Sequence, residues 1–228
     1  MPALVSLRDV SYTYRTRRRD PPVLHGVSLD VAPGEFVTLV GPSGSGKSTL
    51  LTLMGLLDRP TSGSVWFDGQ DTTAVKDRQR AALARQAIAH VFQAYHLLDD
   101  LTVAENVAEP LRYQGVAAGE RGQRVGAVLE RFGLTSKLDR YPAELSGGQQ
   151  QLVGVARALA GRPRLVLADE PTGNLHAAQG EAVVEALSEM NARDGVAVVH
   201  VTHSERWASA GTRGVEVLDG RVVSDGPS

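Results

Sequence analysis

Nine residues, Gly41-Pro42-Ser43-Gly44-Ser45-Gly46-Lys47-Ser48-Thr49, constrain this chain more than any other stretch. They match the pattern of glycine, four residues, glycine, lysine, then serine or threonine, whose chemistry is phosphate binding. Such a loop works only between the end of a strand and the start of a helix. The flanks supply both: Glu35 to Val40 reads as a strand, and Leu50 to Met54 as the first turns of a helix. Backbone N–H groups and the positive end of the helix dipole then face an anion, and glycines let the backbone wrap it without Cβ clashes. Lys47 reaches toward the terminal phosphates, and the Ser48 hydroxyl completes a Mg²⁺ shell. The stretch predicts a nucleoside triphosphate site.

A chain of 228 residues can bury a real core and is expected to form one globular unit. Its 24 basic and 26 acidic residues give no electrostatic case for nucleic acid as a partner. With no cysteine, it has no disulfide, thiolate metal site or cysteine nucleophile, and suits a reducing compartment. No apolar run approaches the roughly 20 residues of a membrane helix, and no secretory signal pattern opens the sequence. The basic cluster Arg15-Thr16-Arg17-Arg18-Arg19 reads as a solvated loop.

Strand signals run from Leu4 to Tyr14, over Val27–Val31, Val65–Phe67 and Ile88–Phe92, with a helix over about 76–86. Between about 99 and 140 they stop. Thr102-Val103-Ala104-Glu105 is a capping box that opens a helix, and a second helix is expected over 122–132. The continuous apolar run Leu165–Ala168 reads as a strand buried on both faces. A helix over 177–192, the strand 197–202 and two short strands at 214–218 and 221–223 finish the chain. Alternating strands and helices with one helical insert predict an α/β fold with a mainly parallel sheet.

Three further features gather around the loop. Leu145-Ser146-Gly147-Gly148-Gln149 precedes a helix expected from Gln150 to Ala160 and offers a second anion site, or an N-cap serine followed by flexible glycines. Asp169 and Glu170 end an apolar strand, where open α/β sheets place their ligands. Asp169 would hold Mg²⁺ through water, and Glu170 would take or orient the proton of an attacking water. His203 ends the strand that contains His200; their odd spacing sends them to opposite faces, so they are no metal pair.

In this order, the phosphate loop, Gln93, Leu145–Gln149, Asp169-Glu170 and His203 resemble the ATPase domains of ABC transporters over essentially the whole chain. The likeness is greatest to those serving macrolide-exporter and lipoprotein-releasing transporters, through Leu57–Gly63, Leu101–Val107 and Ala168–Leu175. The resemblance implies a phosphate-loop NTPase with an antiparallel β subdomain and a helical insert. The core would take about 1–98 and 163–228, and the helical part about 99–162. It implies ATP and Mg²⁺ as ligands, with Gly41 to Thr49 on the phosphates and Tyr14, rather than Tyr12, stacked on adenine. Gln93 would contact Mg²⁺ and the water, and the segment after it the membrane partner; His203 would hydrogen-bond the γ-phosphate. Ser146, Gly147, Gly148 and Gln149 would meet the ATP of a second subunit in a head-to-tail dimer. Transmembrane permease subunits would be the partners, with the chain cytoplasmic and peripheral on the inner face of the membrane.

The chain departs from the family's usual pattern in three places. His176 stands where an aspartate follows Gly-Asn-Leu, Leu152 where an arginine follows the glutamines, and Ala94-Tyr95-His96 where Gln-Phe-Asn is commoner. Lys47, Ser48, Asp169, Glu170 and His203 are untouched, so retained hydrolysis with altered coupling is expected. The alternative is a module that dimerises on ATP with little turnover.

Overall fold

The computed structural model describes residues 2–14 and 22–227; the basic cluster from Arg15 to Arg19 lies outside the described residues. The chain opens with Val5–Tyr12 (β1) and Leu24–Val31 (β2), antiparallel partners with Val5 opposite Val31. Phe36–Val40 (β3) leads into the phosphate loop and Lys47–Met54 (α1). Ser62–Phe67 (β4) and Gln70–Asp71 (β5) extend the first pair to a four-stranded sheet in the order β2-β1-β4-β5. Asp77–Ala87 (α2) delivers Ile88–Phe92 (β6).

Three helices follow: Val103–Tyr113 (α3), Ala118–Arg131 (α4) and Gly147–Ala160 (α5). Thr102 caps α3 with a reciprocal box, its hydroxyl accepting from the Glu105 N–H and the Glu105 carboxylate accepting from the Thr102 N–H. The helix expected over 122–132 begins four residues earlier, at Ala118, because nothing at Ala117 announces it: that residue has no capping side chain. Likewise α5 begins at Gly147 rather than Gln150. Ser146 accepts from the Gln149 N–H at 3.4 Å while Gln149 Oε1 accepts from the Ser146 N–H at 3.0 Å, so the helix includes both glycines.

Leu165–Asp169 (β7), Ala177–Asp194 (α6), Ala197–Val201 (β8), the short Glu205–Ala208 (α7), Arg213–Leu218 (β9) and Arg221–Pro227 (β10) complete the chain. The second sheet runs β10-β9-β3-β8-β7-β6 and is parallel except for β9 with β10. Alternation sorts its side chains. Leu165, Leu167, Val199 and Val201 face α1 and the first sheet; Val166, Ala168 and Val198 face α5 and α6. Helix α5 is apolar on a second side too, where Val153, Ala156 and Ala160 pack on α3 and α4. It is therefore wedged between the sheet and helices α3 and α4.

Two histidines sit inside this packing. His200 is fully buried, edge-on to Phe36, with neither ring nitrogen partnered among the described residues. His90 stacks on Phe92, and its Nε2 has no hydrogen-bond partner among the described residues. Burial lowers the pKa of each from the ordinary 6.5 to about 4. Since the unfolded chain binds these protons first, the neutral forms favour folding fully above pH 6.5. That advantage is lost as pH falls from 6.5 toward 4. From pH 7 to pH 5 each histidine is expected to cost about 2 kcal/mol of stability. His200→Leu should flatten the acid limb of denaturant-measured stability by about that amount.

Candidate functional site

Sheet order decides what meets what. Strand β8 lies between β3 and β7, and β6 flanks β7. All four run parallel, so their C-terminal ends share one edge. The end of β3 gives the phosphate loop, that of β8 His203, that of β7 Asp169 and Glu170, and that of β6 Gln93. Residues scattered from 41 to 203 thus become neighbours without any long side chain having to reach.

The loop is shaped by its surroundings. A Cβ on Gly41, whose φ is 145°, would collide with the Val217 carbonyl oxygen of β9. One on Gly46, at φ 104°, would lie 2.7 Å from Leu24 Cδ2. Lys47 is buried, and its Nζ donates to the carbonyls of Gly41 and Pro42, both at 2.8 Å, with Ser45 Oγ at 3.4 Å. The ammonium therefore rests on the loop's own acceptors. Burial lowers its pKa, opposed by the negative charges of Glu170 and Asp169.

Ser48 Oγ donates to Asp169 Oδ1 at 3.1 Å. Burial raises the Asp169 pKa, the Ser48 hydrogen bond opposes the rise, the neighbouring Glu170 adds to it and Lys47 counters it. His203 Nδ1 lies 3.1 Å from Glu170 Oε2. Glu170 itself has a left-handed backbone, φ 46°; its N–H donates to Val201 O and its carbonyl accepts from the Gly173 N–H. The strand end is tied down on both sides.

Tyr14, 47% exposed, leans over the loop with its hydroxyl 3.0 Å from Thr49 Oγ1. A cavity of about 250 Å³ is lined by Tyr14, Ser43, Gly44, Lys47, Ser48 and Glu170. Tyr12 sits edge-on to Tyr14 and donates to Asp58 at 2.5 Å, away from this cavity. Gln93 is held by Asn174: its Nε2 donates to Asn174 Oδ1 at 3.0 Å, and Asn174 Nδ2 donates to Gln93 O at 3.3 Å.

Ser146, Gly147, Gly148 and Gln149 line no part of the loop cavity. They start α5, with Gly147 beside Tyr95 and Leu175 and Gly148 against Gln179. His176 precedes α6, and among the described residues its side chain makes no capping hydrogen bond. Sequence reasoning missed Asn174, Gln151 and Arg157, although a charged residue between Ala156 and Ala158 on a helix buried on two sides signals a required partner.

The ABC transporter family model matches residues 24–173. The chain belongs to this family. It is 48% identical over 221 residues to a macrolide export ATP-binding/permease protein of Syntrophobacter fumaroxidans, covering 96% of this chain but 31% of that protein. A second such protein, from Nitrosomonas europaea, is likewise only 34% covered, so the chain spans about a third of these relatives. With the lipoprotein-releasing system ATP-binding protein LolD of Geobacter metallireducens it shares 45% identity over 225 residues, 99% of this chain and 100% of that one. Among solved structures, the dimeric post-hydrolysis state of an ATP-binding cassette bound to ADP and Pi superposes with a TM-score of 0.89. It is 39% identical, with 98% of each chain covered. The ABC chain is thus similar along its whole length both to a free-standing ATP-binding protein and to part of a longer ATP-binding/permease protein. Among its described residues no helix is long and apolar enough to cross a membrane.

Proposed function

We propose that this chain binds and hydrolyses ATP in sites shared by two ATPase subunits, and that this cycle energises separate transmembrane permease subunits. One observation carries the reading. Lys47, Ser48, Asp169, Glu170 and His203 gather at one sheet edge, whereas the second anion site, at Ser146, lies outside that chain's own cavity. A second chain must bring its Ser146 turn to complete the site, in keeping with the dimeric, ADP-bound relative.

In the chemistry, a water oxygen attacks the γ-phosphorus, the bond to the β-phosphate oxygen breaks, and the water's proton passes toward Glu170. His203, within reach of Glu170, orients the water and the γ-phosphate. Lys47 leaves its loop carbonyls for the terminal phosphates, so binding exchanges neutral acceptors for charged ones. Tyr14 swings from Thr49 to stack on adenine. The donor set suits Mg²⁺: a hydroxyl and a carboxylate 3.1 Å apart, both oxygen donors. Such a hard ion takes its remaining ligands from water and phosphate. Ser48 and Asp169 would hold it, with Gln93 once released from Asn174. When bound, the ion would neutralise charge on the phosphates.

We read 99–162 as the helical subdomain and the rest as the core with its β subdomain. Between them lies a groove of about 390 Å³, lined by Arg85, Phe92, Tyr113 and Arg157. Tyr113, 69% exposed at its rim, gives the permease an aromatic anchor. Through that contact the subunit would sit on the inner face of the membrane.

The test is ATP turnover of the purified chain against its own concentration. A rise steeper than linear is expected, since pairing precedes chemistry. Strictly linear turnover would refute the shared site, and ATP binding without turnover, with permease present, would make the chain a binding module.

A further inference from the structure

Tyr95 and His96, with φ of 58° and 48°, are the only two consecutive non-glycine residues of positive φ among those described. That region is costly for any residue with a Cβ and persists only where the surroundings enforce it. What enforces it is α5. Arg157 Nη1 donates to His96 O at 2.6 Å and Nη2 to Tyr95 O at 3.0 Å. Nearer the helix start, fully buried Gln151 donates through Nε2 to Phe92 O at 3.1 Å. The guanidinium fork suits two adjacent acceptors, where an ammonium would hold one direction at a time. Among the described residues Arg157 has no carboxylate partner; these two carbonyls are its compensation. Gln93, meanwhile, is held from the other side by Asn174 and follows Phe92, which is in register with Asp169.

We propose that Arg157 is a positioning residue for hydrolysis: it fastens residues 95–96 to α5, so that the helix bearing Ser146 and the segment bearing Gln93 move as one body. This rests on the ATPase reading above. Without the clamp, the pair 95–96 relaxes to ordinary backbone and Gln93 is no longer placed when a partner's γ-phosphate draws on α5. The chain's own loop still binds ATP.

The experiment compares wild type, Arg157→Gln, His96→Gly and the double variant as full chains. ATP affinity, kcat, melting temperature and amide exchange over residues 94–98 are measured on the same samples. Arg157→Gln is expected to lower kcat about tenfold with ATP affinity kept within about twofold, and to speed exchange over 94–98. His96→Gly alone is the reference against which the double variant is read. Glycine takes positive φ without a Cβ penalty, so the double variant should recover at least half of the lost kcat. Unchanged kcat in Arg157→Gln overturns the inference. So does a loss that tracks melting temperature and is not restored by glycine. If wild type shows no turnover even with its permease, the ATPase reading falls instead. The clamp is then judged by exchange alone, and unchanged protection over 94–98 overturns it.

Discussion

Glu170→Gln is expected to lower ATP turnover by about 100-fold or more, the usual weight of a general base, while leaving ATP binding intact. The side chain is aimed by the backbone rather than by its charge. Residue 170 is locked at φ 46° by its N–H to Val201 O and its carbonyl to the Gly173 N–H. That conformation costs on the order of 1–3 kcal/mol, which the ends of β7 and β8 sustain. An amide of the same shape would keep this geometry and could still accept from His203 Nδ1, now 3.1 Å from the carboxylate. It would lose only the capacity to take a proton. Asp169 cannot substitute, because its Oδ1 is engaged by Ser48. Bound ATP would then persist and the ATP-bound pair would accumulate, so size-exclusion chromatography with ATP should show a dimer that wild type shows only fleetingly. Phosphate release at the wild-type rate in this variant would remove Glu170 from the chemistry.

Which of these features the sequence announced depends on how local the physics is. The phosphate loop was legible because strand, glycines, lysine and helix are contiguous, and each residue type has a local reason. The Asp169-Glu170 strand was legible because an apolar run ending in two carboxylates can hardly be a solvated edge. Thr102 and Glu105 announced α3 by their own reciprocal bonds. By contrast, α4 starts at Ala118 with no capping side chain, and tertiary packing of Val125 and Leu129 on α3 and α5 supplies what the cap does not.

Features that depend on sheet order were not legible. Nothing near residue 200 says that β8 lies between β3 and β7, yet that placement alone brings His203 to Glu170. The same holds for Asn174, whose pairing with Gln93 spans 81 residues, and for Arg157, whose acceptors are carbonyls of residues in a backbone region that no glycine advertises. A cation on a doubly buried helix was the one available hint.

Ser146→Asp should abolish turnover by at least about 100-fold without loss of thermal stability. Aspartate caps a helix as well as serine and favours its positive end, so α5 should keep its start at Gly147. The added carboxylate, however, would stand where a phosphate is to bind, turning an attractive field into a repulsive one. Lys47→Ala should be equally inactive for a separate reason, the loss of the buried ammonium that lines the loop cavity. Mixing the two inactive chains distinguishes a shared site from a single-chain site. In a two-fold pair each site joins one chain's loop to the other's Ser146 turn. A mixed pair then has one site with both defects and one with neither. With random pairing, half the dimers are mixed and each has half its sites intact, so turnover should return to about a quarter of wild type. If loop and turn served the same ATP within one chain, every site would keep a defect at any mixing ratio and no activity would return. A silent mixture of two stable, ATP-competent pairing partners would therefore refute the head-to-tail arrangement, while recovery near a quarter would assign each half of the site to a different chain.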